Sequence, residues 1–486
     1  MPPATGSHLN DHLQPMCEVA ENFTLSSNAA QPYVPLESLS DGDKEPMLGE
    51  VLNAPPTKGN ACVQPLLRCL SRVIPPGGML STVFNMSSAC IGAGILGVPA
   101  AANSSGLAMA FLYPAVIMIF SLYSLFCLTT LMERLDVRSY EGMANALLGP
   151  ALKHVTSAMR LVTTFGACVA YIISVGNIFS AIIEDTDAPG FWKSRSGNRL
   201  LTGLVWLVVM LPLVIPKHIN SLRYVSMVGV GFIVYFVLLT IVHSCMNGLL
   251  ENVQNINVVG DATDEGIHMF GTGNRALDGL GVFMFAFMCH LNSFEMYWDM
   301  THRNASRFTL YSGIALIFCF FAYFLTSVFG YLDFGSRVTD SILLMYDPVK
   351  KPVVMVAYIG ILVKLCASYA LNALVSRNTI YYAVGWDVDS VPFWKHCVIV
   401  IVLSSVMLLC GLFIPKINTV FGFVGAVCGG LTSFIFPAIF MMYAGNWTLR
   451  SVGWTHYTLT YALLVVGVIC LVFGTGSAIY SVVVPQ

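Results

Sequence analysis

Within one apolar stretch near residues 276–301, the chain carries His290, Asn292, Ser293 and Glu295, with Asp299 following. Each such group is costly in hydrocarbon unless it meets water, a partner or the interior of a helix bundle. Their density predicts that the helix opens around His290–Ser293, with Met288, Cys289, His290, Asn292 and Glu295 lining a binding site. His290 is the one side chain here that titrates near neutrality and could shuttle a proton, although a lone His on an apolar face is more often a satisfied core residue. Glu295 has three readings: a counter-charge for a cationic side chain or itself a proton-carrying group, a structural pair with Lys364, or a carboxylate close enough to the inner surface to meet water. Lys364 is the one Lys deep in a span, and a fixed cation there could take the place of a bound sodium ion.

A second stretch, Phe84 to Pro99, reads FNMSSACIGAGILGVP. Gly92 and Gly94 can leave helical φ/ψ, and Pro99 removes a backbone donor beyond them. Close helix packing is the plain alternative. The favoured expectation is a second break, with backbone groups of Gly92, Ala93, Gly94 and Ile95 free to hold a ligand. Asn85, Ser368 and Asn372 are polar groups on facing spans and are candidates for ion coupling. Tyr171 and Asn177 could line the site, with core packing the simpler role.

The run Gly92-Ala-Gly94-Ile-Leu-Gly97 also fits GxGxxG, yet its flanks are apolar and membrane-length, and the next acid is Glu133. A dinucleotide fold needs a strand before it and an acid about 20 residues on. No GxxxxGK[ST] is present. The 14 cysteines include no CxxC pair and fall mostly in apolar runs, so no disulfide framework or zinc site is expected. No nucleophile or metal set points to an enzyme, and no cofactor is expected.

These residues need elements to hold them. The chain has 486 residues, 56% hydrophobic and 10% charged, with mean hydropathy +0.73. Soluble domains carry roughly 25% charged residues, so this is an all-α polytopic membrane protein, and the lipid bilayer is its surroundings. A net charge of −2 offers no field for nucleic acid. A span needs about 20 apolar residues, which predicts eleven: near 80–103, 107–131, 157–183, 200–216, 221–246, 276–301, 308–332, 353–377, 396–414, 418–443 and 458–482. Residues 1–78, rich in Pro, Asn, Ser and acids, read as a disordered cytoplasmic tail whose partners the sequence does not name.

Ile215-Pro-Lys-His-Ile-Asn-Ser221 recurs, one residue shorter, as Ile414-Pro-Lys-Ile-Asn-Thr419. The copies join spans four and five, then nine and ten. The repeat unit is therefore five spans, and an odd number forces the second copy to enter inverted. The expected division is 79–247, 248–443 and an added 444–486. Loops on the tail side, with Arg68 and Arg72, hold thirteen Lys and Arg against eight opposite. The N-terminus is then cytoplasmic and the C-terminus extracellular.

On Phe84, Asn85, Gly92, Gly94, Ile95, Leu96 and Gly97, and on Cys289, His290 and Tyr297, the chain resembles the amino acid/auxin permease family. Asp299 stands where that family has Glu, and Glu295 where Pro is usual, as in its trypanosomatid branch. The resemblance implies a five-plus-five inverted bundle plus an eleventh span, with spans one and six unwound. It also implies an amino-acid permease of the plasma membrane driven by an ion gradient or the membrane potential, H+ being one coupling ion. Glu295 points to cationic substrates, arginine first. The other readings are a neutral amino-acid permease and an amino-acid sensor that signals through the tail.

Overall fold

The computed structural model describes residues 77–184, 186–216, 222–260, 266–338, 340–386, 390–414, 416–445 and 447–483. The tail up to residue 76, the segment Lys217 to Ser221 of the first repeated motif and Pro415 of the second lie outside these residues.

The fold is helical, as the composition requires. Helix α1 (Met79–Cys90) and α2 (Gly94–Ser105) form a pair bent by 54°. Then come α3 (Leu107–Leu135), the short α4 (Tyr140–Leu148), α5 (Pro150–Glu184), α6 (Arg195–Val214) and α7 (Leu222–Met246). Two short strands, β1 (Ile256–Gly260) and β2 (Ile267–Gly271), pair in parallel with Ile256 opposite Ile267. Helices α8 (Asp278–Ala286) and α9 (Ser293–Trp298) follow, then α10 (Ala305–Phe334), α11 (Pro352–Val384), α12 (Phe393–Phe413), α13 (Ile417–Tyr443) and α14 (Trp454–Val483).

Among the described residues nine helices are long and apolar enough to cross a membrane, and the bent α1–α2 pair makes a tenth candidate. The remaining expected span, near 276–301, is the two short helices α8 and α9, neither long enough alone. The polar cluster is what divides it.

Burial separates centre from rim. In their most apolar windows α13 is 72% buried and α5 67%, whereas α12 is 28% and α14 33%. The rim helices therefore show apolar surface to lipid, and α1, α2 and α8 pack among α3, α7, α10, α13 and α14. Residues Gly425–Ile435 of α13 are π-helical, a local widening often found beside functional sites.

The face on which α1 begins is called the tail face below. On it Asn304 caps α10, its side chain accepting the N–H groups of Ser306 and Arg307 at 2.9 and 3.4 Å. On the opposite face Asn103 is 3% exposed. Its amide donates to the carbonyls of Ser336 and Val338 at 3.3 and 3.0 Å.

Helices α8 and α13 cross backbone against backbone. A Cβ on Gly281 would lie 2.4 Å from the Gly422 carbonyl oxygen and 2.8 Å from its Cα, atoms that cannot swing aside. Gly281→Val should cost about 1–3 kcal/mol from overpacking and lower the melting temperature of the purified protein. Gly231→Ala, where a Cβ meets nothing within 4 Å, should leave it unchanged in the same thermal-shift assay.

Candidate functional site

The first break spans Ile91, Gly92 and Ala93. Ile91 leaves the helical region (φ −80°, ψ 78°), and the Gly92 N–H turns back to the Cys90 carbonyl at 2.8 Å. Gly92 is needed here, because a Cβ would sit 2.8 Å from the Tyr171 hydroxyl. The second break runs from Phe287 to Asn292 and ends in a 3-10 turn over His290–Asn292, where the Ser293 hydroxyl donates to the His290 carbonyl at 2.7 Å. Both spans expected to unwind are interrupted, although Gly94 and Ile95, expected within the first break, are already helical.

A broken helix strands carbonyl oxygens, and in an apolar interior each needs a donor. Tyr323 of α10 serves both breaks: its hydroxyl lies 2.8 Å from the carbonyl oxygens of Cys90 and of Ala286, one proton shared between two acceptors. Lys364 of α11, 5% exposed, donates its ammonium to Ser88 at the end of α1, to the carbonyl at 3.0 Å and the hydroxyl at 2.5 Å. That end of a helix carries partial negative charge, so a cation belongs there. Gly229 of α7 leaves room for the lysine's aliphatic chain, which a Cβ would approach to 2.6 Å.

Between the breaks lies a cavity of about 50 Å³, room for a few waters. Of the candidate binding residues Gly92, Met288 and Asn292 line it, with Asn372 from the ion-coupling candidates and Tyr171, joined by Thr163, Thr164 and Phe285. Among the described residues no charged side chain lines it. The Thr163 hydroxyl is buried without a hydrogen-bond partner among the described residues. Asn372 donates to the Ser368 carbonyl, one turn away, at 2.9 Å. Asn85 stands apart on α1, its side-chain oxygen buried and unpartnered. Ala93, Gly94 and Ile95 form the first turn of α2 beside the cavity, and the thiols of Cys289 and Cys90 face each other across the breaks. His290 is fully buried against Phe434, with no hydrogen-bond partner at either ring nitrogen among the described residues.

Glu295 is not among the cavity's lining residues. Its side chain is 52% exposed and pairs with Arg160 of α5, whose guanidinium also reaches the buried Glu141 of α4 at 3.5 Å. The structural pair with Lys364 is absent because Lys364 is committed to Ser88. Sequence reading counted Arg160 as a loop charge, yet it lies one turn before Thr163 and Thr164 in the same helix. The network thus bolts α9, α5 and α4 together just beyond the cavity on the tail face.

The opposite face is closed by the segment between α10 and α11. Its turn at Ile342–Leu344 packs on α2 and α5, and Tyr358 donates to the Leu343 carbonyl. Asp340, 9% exposed, accepts the N–H groups of Ile417 and Asn418 at the start of α13, at 3.3 and 3.2 Å. Burial pushes its carboxyl up to about 6, against the opposing pull of those N–H groups, the Ser341 N–H and Lys416.

Two interrupted helices meeting at a small cavity, closed on both faces of a polytopic bundle, are the build of a membrane transporter. Residues 75–480 match the family described as transmembrane amino acid transporter protein, and the chain belongs to that family. It is similar to Vacuolar amino acid transporter 5 of Schizosaccharomyces pombe, with 28% identity over 381 residues, 75% of this chain and 84% of that protein. It is thus a multi-pass amino-acid transporter and not an enzyme.

The two closures give separate predictions. Glu295→Gln removes a half-exposed partner and should cost no more than about 1 kcal/mol. Arg160→Gln leaves Glu141 buried and unpaired and should cost about 3–5 kcal/mol. Thermal unfolding of the two variants in one detergent tests that order.

For Asp340, an opened lid exposes the carboxyl and returns it to about 3.9. The closed form therefore binds the proton more tightly. Its advantage is full below the ordinary carboxylate range and is lost as pH rises through about 6, a change of up to about a hundredfold in the open–closed ratio. Amide exchange of residues 340–346, taken relative to Asp340→Asn at each pH, should rise across that window; a flat ratio would remove Asp340 as the latch.

Proposed function

We propose that the chain is a secondary active transporter of neutral amino acids working by alternating access, with the substrate held in the cavity between the two breaks. The observation that carries this reading is that the described residues lining the cavity carry no charge, while the two helix breaks border it. A zwitterion needs a donor set for its carboxylate and an acceptor set for its ammonium. The first turn of α2, from Ala93 to Ile95, suits the carboxylate. Carbonyls around Gly92 and Met288–Asn292 suit the ammonium. The arginine reading rested on Glu295, and its pairing with Arg160 outside the cavity weighs against it.

Lys364 already supplies a cation at the carbonyl end of α1, which supports transport without sodium. H+ is the coupling ion on this reading, with His290, sealed and unpartnered, as its carrier. The inverted five-span repeat supplies the alternation, and the tail face is cytoplasmic. The relative's name favours the membrane of a vacuole-like organelle over the plasma membrane.

Uptake of labelled alanine into proteoliposomes, competed by each unlabelled amino acid, tests the substrate class. Neutral amino acids should compete, arginine and lysine should not, and Glu295→Gln should leave that ranking unchanged. Competition confined to arginine and lysine, abolished in Glu295→Gln, would overturn the neutral assignment.

A further inference from the structure

We propose that a second cavity, of about 380 Å³, between the tail-face ends of α3, α13 and α14, binds the phosphate head of an anionic phospholipid. Its lining includes Phe126, Arg134, Trp447 and His456, and no acid. Arg134, in the last turn of α3, has no ion pair or hydrogen bond among the described residues, although neighbouring Glu133 is engaged with the Ala305 N–H at 3.1 Å. The Trp447 indole nitrogen and the His456 Nδ1 are both buried without partners. Such groups are costly to leave unmet; a phosphate oxygen pairs strongly with a guanidinium and can accept from an indole N–H, which is a donor only.

The walls are built rather than accidental. The His456 ring stacks on Phe126 at 5.6 Å and 16°, and Trp447 stacks on Tyr457 at 6.0 Å and 16°. The position selects a lipid over a free anion. The site lies at the end of the bundle where α14, mostly unburied, borders lipid, beside exposed Trp454 and Tyr461. Trp and Tyr gather at that depth, where headgroups lie, and a basic residue there is drawn to an anionic leaflet. The site is separate from the transport cavity, with no lining residue in common.

The test uses the purified full chain, carried through delipidation and offered equal phosphatidylserine and phosphatidylcholine. Retained lipid is counted by native mass spectrometry, with inorganic phosphate as a parallel addition. Wild type should keep phosphatidylserine preferentially and melt at a higher temperature with it. Arg134→Gln and Trp447→Phe should each lower that retention by about tenfold, the worth of one charge-assisted hydrogen bond, while Arg134→Lys keeps most of it. Arg134 is an exposed side chain, so its variants should elute as wild type does. Equal retention of the two lipids, or retention unchanged in both Arg134→Gln and Trp447→Phe, overturns the proposal. Equal stabilisation by inorganic phosphate overturns the lipid assignment in favour of a free-anion site.

Discussion

A carbonyl oxygen in hydrocarbon must have a donor, and this protein breaks two helices where hydrocarbon-like packing is densest. The residues that answer this demand shape the centre of the molecule. Tyr323 reaches the ends of both α1 and α8, so the two breaks are held to one point on α10. Lys364 reaches the end of α1 from α11. Because these donors come from helices flanking the breaks, the breaks cannot move independently of α10 and α11. Between the two breaks, beside Gly92, Met288 and Asn292, lies the cavity.

The two closures differ in physical character. On the tail face the bolt is ionic and partly wet, with one guanidinium between a buried and a half-exposed carboxylate. Separating Glu295 from Arg160 leaves the guanidinium with Glu141, so α9 can part from α5 without stranding a charge. On the opposite face the latch is a buried carboxyl on two backbone N–H groups, and its strength depends on protonation. An acidic compartment on that side would hold the lid shut, so solvent on each side acts on a different kind of bond.

Much of the scaffold was legible in the residues. Ten of the eleven segments expected from hydropathy have a span candidate among the described residues, and both breaks fall near Gly92-x-Gly94 and the polar cluster at His290–Glu295. The partners were not legible, because they depend on contacts distant in sequence. Tyr323 is one aromatic residue in an apolar helix until the fold puts it between two carbonyls. Arg160 lies near a predicted span end, where a charge is unremarkable, until α9 presents Glu295 to it. Lys364 stood out as a buried cation, yet the intuitive partner was a carboxylate, and the structure supplies the end of a helix instead.

That exchange of partner bears on coupling. A lysine paired with a carboxylate would form a neutral unit indifferent to nearby ions. A lysine set on a helix end neutralises only a partial charge, so the centre keeps net positive character beside an uncharged cavity. On the proposed reading such a centre resists a second cation, and the proton goes to a group off the cavity lining, His290, whose ring nitrogens have no hydrogen-bond partner among the described residues. On the proposed reading, substrate and proton therefore bind on different sides of the same break, coupled by the backbone of Met288–Asn292 that joins them.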